Sequence, residues 1–129
     1  MSTDFHSKKP IFKQIKEQLE DQILDHRLEE GDKAPSTNDL VGFYKVNHLT
    51  IAKGVNELVD EGILFKKRGV GMFVADGAEE KLIAKRRAAF AEDYVTDLLN
   101  EAEKLKISEE ELIELIKDRK GRGSYGRGH

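Results

Sequence analysis

The chain has 129 residues and a formal net charge of −3, with 36% charged residues, 38% hydrophobic residues and no cysteine. This length allows one compact domain with an appendage, which disfavours an elaborate enzyme, and a chain without cysteine has no disulfides, thiolate nucleophiles or zinc–cysteine sites. Because no apolar run approaches the roughly 18 to 20 residues of a membrane span and the N-terminus lacks the apolar core of a signal sequence, we predict a cytoplasmic protein without a membrane partner.

The first predicted element is an amphipathic helix that follows a mobile arm of residues 1–9. Pro10 pre-sets its first turn. Apolar side chains then recur at every fourth position up to about residue 25, namely Ile11, Ile15, Leu19 and Ile23. The charged residues of this segment, among them Lys16 and Glu20, fall outside that apolar stripe.

A helix-turn-helix pattern comes next. Ser36 stands at an N-cap position with Asp39 three residues later, and Asn47 can cap a second helix in the same way. Only Lys45 and Val46 separate the two helices, so the helices must pack at a steep angle. The sequence therefore predicts helices over residues 37–44 and 48–61, preceded by a short strand at Lys33–Ala34.

The second of these helices has two distinct faces. One face is apolar and is predicted to enter the core; it consists of Ile51, Val55, Leu58 and Val59. The other face is the one that DNA would meet, and it consists of His48, Leu49, Ala52, Lys53 and Asn56. An α-helix fits the major groove, where side chains near its N-terminus reach the edges of the bases.

A β-hairpin is predicted directly after this helix. Gly62 ends the helix, and the β-prone runs Ile63–Phe65 and Met72–Val74 are separated by the basic, glycine-containing segment Lys66–Gly71. A basic hairpin tip can touch phosphate or a minor groove beside the recognition helix. The helix-turn-helix and the hairpin together therefore favour DNA binding.

The rest of the chain, from residue 78, is richer in charged residues. A long, highly charged helix is predicted from Ala78, and Ser108 with Glu111 forms a capping box for a final helix. The long helix carries an apolar stripe that it could not bury alone. Within it, Lys85–Arg87 is interpreted as a solvated face, and the glycine- and arginine-rich segment 119–129 is expected to be a disordered tail.

Five collinear segments resemble the winged-helix domain of GntR-family bacterial transcription regulators over about residues 10–75. They are Pro10–Ile15, Glu30–Ser36, Val46–Lys53, Asn56–Leu64 and Arg68–Val74. The short remainder resembles the YtrA-type branch, whose members dimerise through C-terminal helices and often regulate transporter operons. The resemblance implies a mainly α fold with a small β-hairpin wing. A winged helix-turn-helix at residues 10–76 would be followed by a two-helix dimerisation region at residues 77–118.

The resemblance also implies a function and a set of contacts. The chain would be a sequence-specific repressor that binds a two-fold symmetric double-stranded DNA operator as a homodimer. The implied DNA contacts are Ser36, Thr37, Asn38, Asn47, His48, Leu49, Thr50, Lys53, Lys67, Arg68, Gly69 and Gly71. The implied dimer interface consists of Leu82, Phe90, Tyr94, Leu98, Leu112, Leu115 and Ile116. Asn38 departs from the family, which usually has arginine there, and asparagine prefers adenine or phosphate where arginine prefers guanine.

Several simpler interpretations stand beside these. His48 is more often a surface or cap residue than a pH sensor, and Gly69 and Gly71 more often permit a tight turn than contact phosphate. The four histidines have no ligand-like spacing, so neither a metal site nor a cofactor is predicted. A protein-interaction module that uses its winged helix without specific DNA binding is the alternative function. An enzyme is not predicted, and the sequence identifies no small-molecule effector.

Overall fold

A computed structural model describes residues 9–122 of the chain. Its helices are α1 (Ile11–Leu24), α2 (Thr37–Tyr44), α3 (His48–Asp60), α4 (Ala78–Phe90), α5 (Thr96–Lys104) and α6 (Glu109–Gly121). Strands β1 (Leu64–Lys67) and β2 (Gly71–Val74) form an antiparallel hairpin, and a π-helical turn over Ala91–Val95 links α4 to α5. The chain divides into two compact units, one ending at Arg86 and the other beginning at Arg87.

The first unit is built around a single apolar core. The predicted stripes of α1 and α3 both enter it, and Ile15, Ile51 and Leu58 are almost completely buried. The hairpin contributes Leu64 and Val74, which face each other in the strand register. The predicted mainly α fold with a β-hairpin wing is therefore confirmed.

The segment before α2 pairs with the hairpin as a third, very short strand. Lys33 forms an isolated antiparallel bridge with Phe73, and the Ala34 N–H donates to the carbonyl oxygen of Met72 at 2.8 Å. The short strand expected at Lys33–Ala34 is thus reduced to a single bridge. Its hydrogen bonds nevertheless tie the chain leading into α2 to the base of the hairpin.

The first turns of α4 belong to the first unit, although the sequence assigns them to the predicted dimerisation region. Ala78 and Leu82 are both fully buried in the same core as α1 and α3. The Glu30 carboxylate also accepts the backbone N–H groups of Gly77 at 2.9 Å and Glu79 at 3.2 Å, which fixes the start of α4. The first unit therefore continues past the predicted boundary at residue 76.

The second unit holds the end of α4, the π-helical turn, α5 and α6. Ser108 and Glu111 form the predicted capping box at the start of α6, with the Glu111 N–H donating to Ser108 Oγ at 3.1 Å. The tail predicted from residue 119 lies largely outside the described residues. Its first residues are helical, because α6 continues to Gly121, and the Arg122–Asp118 ion pair at 3.0 Å supports that last turn. In the described part of the chain, no helix is both long and apolar enough to cross a membrane.

Candidate nucleic-acid interface

Two capped helix N-termini form the centre of the candidate interface. The Asp39 N–H donates to Ser36 Oγ at 3.0 Å, and the Ser36 N–H donates to the Asp39 carboxylate at 3.1 Å, which completes a capping box on α2. The bond from the Ser36 backbone is the main cause that lowers the pKa of Asp39. On α3, Asn47 Oδ1 accepts the Thr50 N–H at 2.9 Å. Each cap uses an oxygen acceptor only, so the amide donors of Asn47 are not consumed by capping.

The turn between these helices depends on one unusual backbone conformation. Lys45 adopts a left-handed conformation with φ of 58°, and its N–H donates to the carbonyl oxygen of Val41 at 2.9 Å. This ends α2 and lets α3 begin three residues later. The predicted helix-turn-helix is thereby confirmed, with both helix starts at the predicted residues.

The two faces of α3 are separated as the sequence indicates. Ile51, Val55 and Leu58 are sealed in the core, whereas Leu49 on the opposite face is 81% exposed. An exposed leucine at the start of a recognition helix can contact a thymine methyl group. Among the predicted contacts on α2 and α3, Thr37 and Thr50 are half-buried, while Ser36, Asn38, Asn47, His48, Leu49 and Lys53 are exposed. These exposed side chains are available to a ligand, and their contact with DNA stays a prediction.

The hairpin carries the third group of predicted contacts. Its tip closes through the Val70 N–H, which donates to the carbonyl oxygen of Lys67 at 2.9 Å, and Gly69 has a φ of 78°. Gly71 has a φ of 142°, and a Cβ atom there would lie 2.8 Å from Cε of Lys33. Both glycines thus serve the backbone geometry of the wing. Arg68 is left exposed at the tip.

The residues of this surface make three contacts that the sequence did not predict. The Lys66 ammonium donates to Asn56 Oδ1 at 3.2 Å, which links the wing to α3. The Lys53 ammonium lies 4.7 Å from the centre of the Phe12 ring on α1. The Lys67 ammonium lies 4.9 Å from the centre of the Phe73 ring on β2. The predicted DNA contacts Lys53 and Lys67 are therefore each held by a phenylalanine outside the predicted surface.

An ion-pair cluster behind α3 includes two residues of the segment Lys85–Arg87, which the sequence interprets as a solvated face; Lys85 stays exposed and Arg86 is half-buried. Glu20 on α1 is 1% exposed, and it is paired with Lys85 and with Arg86, whose Nη2 lies 3.0 Å away. Arg87 is exposed. The helical periodicity of one segment cannot show this burial, because the opposite charges come from a helix more than sixty residues away in sequence.

The same cluster reaches the recognition helix through Lys16. Its ammonium lies 3.0 Å from Glu57 and 2.5 Å from Glu61, and Lys85 lies 3.1 Å from Glu61. Burial opposes the charged form of Lys16, but its hydrogen bonds to Glu61 and Glu57 raise the pKa of Lys16. Burial likewise favours protonation of Glu61, yet the bonds from Lys16 and Lys85 lower the pKa of Glu61. The hydrogen bond from Lys16 lowers the pKa of Glu57.

The predicted dimer-interface residues fall into two groups. Leu82 is fully buried in the core of the first unit, so its assignment to the interface is wrong. Leu112 is only 9% exposed within the second unit and leaves little surface for a partner. The remaining members are exposed large apolar side chains, namely Phe90, Tyr94, Leu98, Leu115 and Ile116.

Known proteins resemble this chain both in its first half and over most of its length. Residues 11–74 match the family model of bacterial regulatory proteins of the gntR family. The chain is 31% identical to the HTH-type transcriptional regulator YhcF of Bacillus subtilis, over 91% of this chain and 95% of that protein. It is 30% identical to the HTH-type transcriptional repressor YtrA of Bacillus subtilis, over 89% of this chain and 88% of that protein.

Two solved structures are similar to this chain. A GntR family transcriptional regulator from Listeria monocytogenes superposes with a TM-score of 0.68 and 29% identity, covering 88% of this chain and 98% of that one. The DNA-binding domain of AraR, in complex with operator ORE1, superposes with a TM-score of 0.51 and 30% identity. That match covers 58% of this chain and 94% of the AraR chain.

Proposed function

This chain belongs to the GntR family of bacterial regulatory proteins, and we propose that it acts as a homodimeric repressor that binds a two-fold symmetric DNA operator. Members of this family are transcription regulators, which confirms the predictions of DNA-binding regulation and of no enzymatic activity. The proposal adds that the chain recognises an operator in the cytoplasm, represses transcription and forms a dimer. By the resemblance to the YtrA-type branch, a transporter operon is the proposed target.

The observation that carries the DNA-binding part is the division of α3 into two faces. Its inner face is fixed by the apolar core and by the Lys16 ion pairs to Glu57 and Glu61, so the helix is rigidly oriented. Its outer face and the wing carry the positive charges of the exposed Lys53 and Arg68. Lys53 contacts the Phe12 ring and interacts with the Glu57 carboxylate only through the longer-range attraction that helps to lower the pKa of Glu57. A rigid helix with exposed polar and basic side chains, beside a basic hairpin, fits a major groove flanked by phosphates.

The dimer part rests on the exposed apolar side chains of the second unit. Phe90 and Tyr94 lie on successive turns with ring centres 5.6 Å apart, and both are exposed, as are Leu98 and Leu115. We interpret these exposed large apolar side chains as an interaction site. A second copy of the chain is the partner that a two-fold symmetric operator requires.

Selection of bound sequences from random duplex DNA, followed by titration of the selected duplex at several salt concentrations, tests the DNA-binding part. We expect Lys53→Ala and Arg68→Ala each to weaken binding and to reduce the slope of log K against log salt by about one. Lys104→Ala, a change of an exposed lysine on α5, is the matched control and should alter neither quantity. Binding with no salt dependence, or with no enriched sequence, would instead favour the protein-interaction alternative.

A further inference from the structure

Two predicted DNA-contacting lysines on different elements share one structural feature. Lys53 on α3 and Lys67 on β1 each place their ammonium group within 5 Å of the centre of a phenylalanine ring, at 4.7 Å from Phe12 and 4.9 Å from Phe73. Both distances lie inside the roughly 6 Å range of a cation–π interaction. Neither phenylalanine belongs to the predicted DNA-contacting surface.

The Phe12 ring is brought to Lys53 by close packing of two helices. Gly54 follows Lys53 on α3, and a Cβ atom at Gly54 would lie 2.8 Å from the backbone carbonyl oxygen of Phe12. Only glycine allows α1 to approach α3 so closely at this point. The ring position is therefore set by the packing of α1 on α3, and its distance from Lys53 does not depend on a mobile loop.

The Phe73 ring is held by the hairpin itself. Phe65 and Phe73 are partners in the strand register, and their rings stack with centres 5.8 Å apart and an interplanar angle of 26°. Lys67 lies two residues after Phe65, on the same face of the strand, so its ammonium reaches the stacked pair. The backbone bridge between Lys33 and Phe73 fixes β2 from its other side.

An aromatic support orders a lysine without cancelling its charge. The ammonium of Lys16 shows the contrast, because Glu57 and Glu61 neutralise it. Over a ring face, the ammonium keeps its positive charge and keeps N–H groups directed away from the ring. A lysine already ordered in this way loses less side-chain entropy when it contacts a phosphate.

We propose that Phe12 and Phe73 are positioning residues that hold the ammonium groups of Lys53 and Lys67 for contact with the phosphates of the DNA backbone. This inference rests on the proposed DNA-binding function. It adds α1 and the outer face of the wing to the parts of the fold that determine affinity. It also gives the Phe65–Phe73 stack a role beyond hairpin stability.

Double-mutant cycles on the full chain, with the duplex recovered by site selection as the probe, test the proposal. We expect Phe12→Leu, which removes the ring but keeps an apolar side chain, to raise the operator Kd about two- to fivefold. The effect should disappear in a Lys53→Met background, because the remaining ammonium near the ring, that of Lys13 at 5.9 Å from the ring centre, is not among the predicted DNA contacts. Phe12→Tyr keeps the ring and should bind at least as tightly as the unmodified chain.

The second cycle pairs Phe73→Leu with Lys67→Met and keeps the test decisive if Phe12→Leu is poorly folded. Phe43→Leu is the matched control, because its exposed ring packs edge-on against Tyr44 and supports no lysine ammonium in the described contacts. That variant should bind as the unmodified chain does. Urea midpoints of all variants report any general loss of stability.

Equal losses for Phe12→Leu with and without Lys53 would show a purely structural role and overturn the proposal. Unchanged affinity in both leucine variants, with Lys53→Met still weakening binding, would overturn the positioning role and leave the DNA-binding function intact. If Lys53→Met and Lys67→Met both left operator affinity unchanged, the proposed contact surface itself would be wrong.

Discussion

The two compact units differ in how much of their apolar surface they bury. The first unit closes a core in which α1, α3, the hairpin and the start of α4 all take part. In the described part of the second unit, the buried apolar side chains are Ala102 and Leu112. Large side chains such as Phe90 and Leu98 remain exposed there. We therefore expect the first unit to fold alone and the second to be completed by association.

The largest expected effect comes from a matched pair of leucines, Leu82 and Leu98. Leu82→Ala should lower the free energy of unfolding by about 2–5 kcal/mol, because the side chain is fully buried in the first unit. Leu98 is 44% exposed, so Leu98→Ala should change that free energy much less but weaken self-association. Urea unfolding and sedimentation velocity over a range of concentrations measure the two quantities.

Leu98→Asp extends this pair, because a carboxylate on an apolar interface should yield monomers. The comparison fails if Leu98→Asp stays dimeric at every concentration, which would place the interface elsewhere. It also fails if Leu82→Ala dissociates the dimer without loss of stability.

The buried ion cluster gives a second, smaller contrast. Lys16→Met leaves Glu57 and Glu61 without their shared cation, and we expect a loss of about 1–2 kcal/mol at pH 7, limited by the partial exposure of both carboxylates. In the second unit, Lys104 is 75% exposed and 3.9 Å from Glu101. Lys104→Met should therefore cost less than about 0.5 kcal/mol.

The pH dependence of this contrast follows from the lowered pKa values of Glu57 and Glu61. A carboxyl group whose folded pKa lies below its usual value of 4.5 stabilises the fold above that pH and loses the contribution as pH falls through the folded pKa. The stability gap between the unmodified chain and Lys16→Met should thus be full at pH 7 and close as pH falls below 4.5. Urea midpoints between pH 7 and pH 3 measure it; a gap that widens in acid would show that Lys16 does not act through these carboxylates.

Local sequence signals predict where the helices start. They miss features that depend on packing between segments distant in sequence. Ser36, Asn47 and Ser108 cap helices at the expected residues because capping needs only the next three positions. The local pattern predicts Glu20 outside the core. Its burial depends on ion pairs with Lys85 and Arg86, which come from a helix distant in sequence and which a local pattern cannot include.

Prediction of the candidate site from local sequence patterns has the same limit, because these patterns do not include packing between distant segments. Leu82 and Leu98 continue one apolar stripe in sequence, so periodicity alone could not assign the first to the core and the second to an exposed surface. The exposed face of α3 followed from the burial of Ile51 and Val55, which a helical period predicts. The Phe12 support of Lys53 could not be foreseen, since it depends on how closely α1 approaches Gly54.

The last comparison uses the two capping boxes, which place the same chemistry in both units. Ser36→Ala and Ser108→Ala each remove one side-chain acceptor from a helix N-terminus, and each should cost about 1 kcal/mol. Because we expect the first unit to fold alone, the Ser36→Ala loss should be independent of protein concentration. Because we expect association to complete the second unit, the Ser108→Ala loss should appear as weaker dimerisation and grow on dilution. Urea unfolding at two protein concentrations separates these outcomes, and equal, concentration-independent losses for both variants would show that the second unit also folds without a partner.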